Sequence, residues 1–187
     1  CGGDGLFIEN NIVHHAMTML DDGAAVYSFG SHNGVFRGNL VYGILPREGH
    51  DKRSAYYLDE LSSGWLVESN VALDCPMANQ NHMSKNHLYR NNFFVNQKGD
   101  MLLSISNPYS GNIYEKNIIM AAGELTIATS DKGVAEFKEN YYYSATEKIK
   151  WCYTENYQVL DYRTFDADES NQIFPIPAFS PKDRIFC

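Results

Sequence analysis

FRGNL at residues 36–40, VESNV at 67–71 and YRNNF at 89–93 share one layout: an apolar residue, then an asparagine three positions on, then an apolar residue directly after it. The asparagine pairs recur along the chain as Asn11-Ile12, Asn39-Leu40, Asn70-Val71, Asn92-Phe93, Asn117-Ile118 and Asn140-Tyr141, at intervals of 28, 31, 22, 25 and 23 residues. Ile8, Phe36, Val67, Tyr89, Tyr114 and Phe137 hold the apolar position before each of them. A self-similar unit with a period between 20 and 50 residues marks a solenoid rather than a layered globular domain.

Each unit reads as a short strand, the asparagine turn, a second strand and a looser loop leading to a third strand. The third strands fall at 24–29, 55–59, 77–80, 101–106, 125–129 and 149–153. Strands this short cannot form a free sheet, but stacking coil on coil gives each one two hydrogen-bonded neighbours. Tandem helical repeats have similar periods, yet the enrichment in Val, Ile, Tyr and Phe and the scarcity of Ala/Leu/Glu runs favour strands. The expected fold is all-β: a single right-handed parallel β-helix of about six coils over residues 1–153, the hand resting on the preference of parallel crossovers. The six apolar positions are expected inside.

The recurrent asparagines are expected to tolerate a left-handed backbone at the turn and to hydrogen-bond up a ladder. Alternate members of Tyr141-Tyr142-Tyr143 are expected to fill the interior against phenylalanines of adjacent coils. Residues 154–187 break the pattern. Thr154 is placed to cap a short helix through Leu160, and Pro175, Pro177 and Pro181 predict an end to ladder pairing, so this segment is expected to cap the open β-helix end. The sequence opens in mid-pattern with no such cap, which predicts further coils upstream.

With 44% apolar residues and 13% aromatics, the chain can build a substantial core. A net charge of -8 leaves no basic face for a phosphate backbone, which argues against nucleic acid as a partner. No apolar run approaches the roughly 18 residues of a spanning helix, so membrane insertion is not expected. Cys1, Cys75, Cys152 and Cys187 lack metal-ligand spacing. Coil stacking at about 4.8 Å per coil would separate the chain ends by about 25 Å, so all four are expected as free thiols.

Ionisable residues concentrate in the two longest intervals. The first loop carries His14, His15, Asp21 and Asp22; the second carries Arg47, Glu48, His50, Asp51, Lys52 and Arg53, followed by Asp59-Glu60 at the end of a strand. Loops on a rigid scaffold are where function concentrates. No metal centre is expected from this pattern. His14 and His15 are adjacent, and adjacent strand residues face opposite sides, so the two cannot share an ion. Calcium oxygens are available from Asp21, Asp22, Asp59 and Glu60, but no loop of EF-hand spacing holds them.

The runs DDGAAVYSFG (21–30), GVFRGNLVYGI (34–44), SAYYLDELSSGWLVESNVA (54–72) and NHLYRNNFF (86–94) resemble the catalytic region of right-handed parallel β-helix glycoside hydrolases, a group that includes β-helical fucosidases and xylanases. The resemblance covers about residues 5 to 145. It implies a carbohydrate substrate, a location outside the cytoplasm (secreted, periplasmic or cell-surface), no cofactor, and two recurrent acidic positions matched here by Asp22 and Asp59. Glycoside hydrolysis uses two carboxyl groups, one to protonate the leaving oxygen and one to attack the sugar or activate water. Tyr57, Glu60, Asn79, Asn81, His82, Arg47 and His50 are the expected substrate contacts. If Val26-Tyr27 stacks on Tyr56-Tyr57, Asp22 lies level with Lys52, up to about 23 Å along an extended strand from Asp59. At the third coil the relatives often carry a His-Gln-His cluster, where this chain has Asn79-Gln80-Asn81-His82; amides bind sugar hydroxyls but do not exchange protons. Polysaccharide lyases share the fold and use an Arg or Lys base, a part Arg47 or Arg53 can take. A non-catalytic glycan-binding or purely structural β-helix is the remaining alternative.

Asp59 is the strongest single candidate. It closes the strand Tyr56-Tyr57-Leu58, and alternation turns it outward if Leu58 points in. The competing role is a turn cap saturated by backbone amides of Ser62-Ser63-Gly64.

Overall fold

The computed structural model describes residues 3–45, 53–106, 108–130, 133–146, 149–153 and 170–175. These residues form a parallel β-helix of about six turns, with no helix among them. The first sheet stacks Phe7–Glu9, Val35–Arg37, Leu66–Glu68, Leu88–Arg90, Asn112–Glu115 and Ala135–Lys138. The second stacks Ile12–His14, Leu40–Tyr42, Val71–Leu73, Phe93–Asn96, Ile118–Ala121, Tyr141–Ser144 and Gln172–Pro175. The third stacks Gly23–Ser28, Arg53–Leu58, Met77–His82, Met101–Ser106, Leu125–Thr129 and Ile149–Tyr153. Gly3–Asp4 and Ser31–His32 make a short fourth pair. Each strand pairs in parallel with the strand one coil away.

The register carries the expected inner wall: Ile8, Phe36, Val67, Tyr89, Tyr114 and Phe137 are successive ladder partners. All but Ile8, which stands at the first coil and is partly buried, are closed to solvent. Their rings stack, with centroids 4.3 Å apart for Tyr89 and Tyr114 and 5.2 Å for Tyr114 and Phe137. Burying a large apolar side chain is worth about 1.5–3 kcal/mol, so the wall drives coil closure. Tyr142 also points inward, but its ladder partners are Ile119 and Ile173 rather than phenylalanines.

The asparagine ladder forms. The Oδ1 of each member accepts from both the backbone N–H and the side-chain amide of the asparagine one coil before, at 2.9–3.2 Å for the step from Asn39 to Asn70 through that from Asn117 to Asn140. From Asn39 onward each Nδ2 also reaches the carbonyl of the inner-wall residue one coil before, as Asn92 does to Val67 at 2.9 Å. One expectation needs correction: the left-handed residue is the one before the ladder asparagine. Asn10, Gly38, Ser69, Asn91, Lys116 and Glu139 carry the positive φ, between 52° and 64°. The ladder residue itself is held by side-chain hydrogen bonds, which leaves the strained position open to many residue types.

Gln172–Pro175 also differs from expectation. Proline was expected to end the pairing, yet this strand pairs in parallel with Tyr141–Ser144, and Asn171 extends the ladder by accepting from Asn140 at 3.0 Å. Among the described residues Gln172–Pro175 is the edge strand of the second sheet, where the missing N–H of a proline is tolerated. The expected helix at 154–160 lies outside the described residues, as do Cys1 and Cys187. Cys75 is a buried free thiol, and burial pushes it up to about 11.

Candidate functional site

The third sheet positions the site. Its outward row at one level reads Tyr27, Tyr57, Gln80, Ser104 and Ala128, and the neighbouring inward row reads Ser28, Leu58, Asn81, Ile105 and Thr129. Leu58 is buried, so Asp59, the next residue, turns outward at the strand end as alternation requires. Three adjacent coils converge on its carboxylate. Oδ1 accepts from the Tyr57 hydroxyl at 2.9 Å and the Glu60 backbone N–H at 2.8 Å, and contacts His82 Nδ1 at 3.1 Å. Oδ2 accepts from the Tyr27 hydroxyl at 2.6 Å. Only one of these donors is a backbone amide, and it is not one of the Ser62-Ser63-Gly64 amides that the turn-cap alternative requires.

The electrostatics follow from this geometry. Burial pushes the Asp59 carboxyl up, but the hydrogen bonds from Tyr27, Glu60, His82 and Tyr57 outweigh it and hold the group below its ordinary value. Burial and the Asp59 carboxylate together raise both phenols far above the usual tyrosine range, so each stays a donor. The charge of Asp22 adds to the rise at both hydroxyls. Asp22 therefore acts on the two rings that bind Asp59, although its place in the ladder, one residue before the Gly23–Arg53 pair, is the one expected. Asp22 has a φ of 57°, a sharp turn before the strand.

No family model, no curated protein and no solved structure matches this chain. The site is thus read from its own chemistry.

Of the expected contacts, Tyr57, Glu60 and His82 join Asp59. Glu60 Oε1 lies 3.9 Å from His82 Nδ1, and one ligand atom from each of Asp59, Glu60 and His82 falls within 4.8 Å of the others. Asn79 and Asn81 do not join: both are fully buried on the inward rows, Asn79 donating to the Tyr114 hydroxyl at 2.8 Å and Asn81 bonded to the Ser84 hydroxyl. Strand alternation that turns Gln80 and His82 outward must turn these two in, so they correct the expectation that the third-coil amides reach a substrate. Arg47 and His50 lie outside the described residues. Tyr27 was not among the expected site residues, although its register with Tyr57 was already implied by the stacking of Val26-Tyr27 on Tyr56-Tyr57.

The two adjacent histidines also differ from expectation. Their strand ends at His14, and His15 takes a φ of 51°, which swings its ring round so that the two Nδ1 atoms lie 2.9 Å apart. Arg53, a candidate lyase base, is 8% exposed and donates to the Met17 carbonyl at 3.0 Å, which ties it to the first loop.

Proposed function

We propose that this chain is a carbohydrate-active enzyme, a glycoside hydrolase acting on a polysaccharide or oligosaccharide outside the cytoplasm. Asp59 is the carboxylate that attacks the anomeric carbon or activates water, and Asp22, whose charge reaches the Tyr27 and Tyr57 hydroxyls, is the second carboxyl, which must first take up the proton it passes to the glycosidic oxygen as the C–O bond breaks. The observation that carries the reading is the convergence of Tyr27, Tyr57 and His82 from three coils on one outward carboxylate held below its ordinary pKa. Such a group remains anionic where a carbocation-like sugar needs a negative neighbour. Oδ1 is anchored by three contacts while Oδ2 has one, from Tyr27, so Oδ2 is the oxygen with a lone pair to spare. The runs around Asp22 and Asp59 that resemble β-helical glycoside hydrolases support the same assignment.

The test is a screen of polysaccharides and aryl glycosides, scored for reducing ends and for ultraviolet absorbance, with wild type beside Asp59→Asn and Asp22→Asn. Reducing ends without absorbance, lost in both variants, are expected. An absorbing unsaturated product would place the chain among lyases. Saturable glycan binding with no product would make it a binding module.

A further inference from the structure

Beyond the hydrolase reading, we infer that Asp59, Glu60 and His82 form a binding site for a first-row divalent metal ion such as zinc. No spacing along the chain points to this trio, because His82 is 23 residues from Asp59. The ladder brings them together: Asn81 pairs with Leu58, so the residues following each, His82 and Asp59, meet at the same rim of the third sheet. Their donor atoms already lie close to coordination spacing. Tetrahedral zinc with ligands at about 2.0–2.1 Å separates neighbouring donors by about 3.4 Å. His82 Nδ1 stands 3.1 Å from Asp59 Oδ1 and 3.9 Å from Glu60 Oε1, distances that bracket that edge, and an ion bound there replaces the direct His82–Oδ1 contact.

A second observation comes from Gln80. It sits on the same outward face, two residues before His82 and paired with Tyr57, and is only 8% exposed. Its amide oxygen is sealed from solvent and has no hydrogen-bond partner. A buried carbonyl oxygen without a donor is costly, and a bound cation satisfies it as a hydrogen-bond donor would. Strand alternation puts this side chain on the face that carries His82 and, one coil before, Tyr57 and Asp59, which makes its oxygen the candidate fourth ligand.

The surrounding groups suit a ligand shell. The Tyr57 and Tyr27 hydroxyls and the Glu60 amide orient the Asp59 carboxylate as outer-shell donors do in metal sites. Two carboxylates and an imidazole supply a borderline donor set, favouring zinc or a similar ion over calcium. His82 is half-buried and Glu60 more open, with side chains 32% and 45% exposed, so an ion can enter from solvent.

Zinc titration by isothermal calorimetry, paired with thermal unfolding, tests the inference on wild type, His82→Ala, Glu60→Gln, Asp22→Asn and His14→Ala. One ion per chain is expected in wild type, with Tm rising as zinc is added. Affinity is expected to fall at least about tenfold in His82→Ala and in Glu60→Gln, and to hold in His14→Ala and Asp22→Asn. His14→Ala controls for the convergent histidine pair, and Asp22→Asn separates this site from hydrolysis, because it should lose turnover and keep zinc. The inference is overturned by absence of zinc binding in wild type, by equal affinity in wild type and the two ligand variants, or by a loss confined to His14→Ala.

Discussion

Asp59 shows how one residue can gather a site. Its hydrogen bonds are stronger to the anion than to the neutral acid, so its folded pKa lies below the unfolded value of about 3.9. The stability it contributes is therefore fully present above that unfolded value and is lost as pH falls through the folded pKa. Urea unfolding of wild type and Asp59→Asn should show a stability gap at pH 6 that narrows at pH 3. A gap unchanged between the two would mean the carboxylate is not held as described. Tyr27→Phe removes the bond to Oδ2, worth about 1.5–3 kcal/mol for a charged acceptor. Carbon NMR titration of the aspartates should then find the Asp59 pKa raised. Strand alternation alone turned Asp59 outward, and that much was legible in the sequence. Its partners were less so, since His82 reaches it through coil register and Tyr27 through the length of a ring. The inward turn of Asn79 and Asn81 follows from the same alternation, which leaves Gln80 and His82 as the outward members of the strand.

At the scale of the strand and turn, the asparagine ladder and the residue before it have separate tasks. Asn92→Ala strips two acceptor contacts from Asn70 and the donor contacts to Val67 and Asn117, all buried. A loss of about 2–4 kcal/mol is expected by chemical denaturation. Asn11→Ala, at the exposed first coil, should cost less than about 1 kcal/mol. Equal costs would contradict a ladder that is strongest where it is buried. Glu139 occupies the left-handed position with a φ of 52°, so Glu139→Gly should gain about 0.5–1 kcal/mol once the greater entropy of the unfolded chain is counted. Gly34 acts differently. A Cβ there would meet the Trp65 ring at 2.4 Å, so Gly34→Ala should destabilise the chain by about 1–3 kcal/mol. The strands were legible because their apolar residues recur at fixed offsets from asparagine. The turn was less so, because Asn, Gly, Ser, Lys and Glu all occupy its strained position and no single residue type marks it.

Across the whole molecule, contacts run between neighbouring coils, so stability is close to a sum of nearest-neighbour terms and the site spans three consecutive units. An alternating row of charge on the first sheet follows the same rule: Arg37 bonds Glu9 at 2.9 Å and Glu68 at 3.1 Å, and Arg90 bonds Glu68 at 2.7 Å. Burial pushes the Glu68 carboxyl up, while Arg90 and Arg37 more than compensate and hold it low. The architecture was readable because one rung repeats; the return of the chain to the ladder at Gln172–Pro175 was hidden by a proline that an edge strand tolerates. The proposed activity belongs to this scale as well, since the third sheet is what fixes three coils around one carboxylate. The most direct test is kcat/KM on the best glycan from the panel, for wild type and for Asp59→Asn shown to be folded. The account predicts a fall of about 10²–10⁴-fold in the variant. A variant that keeps the wild-type rate would contradict it.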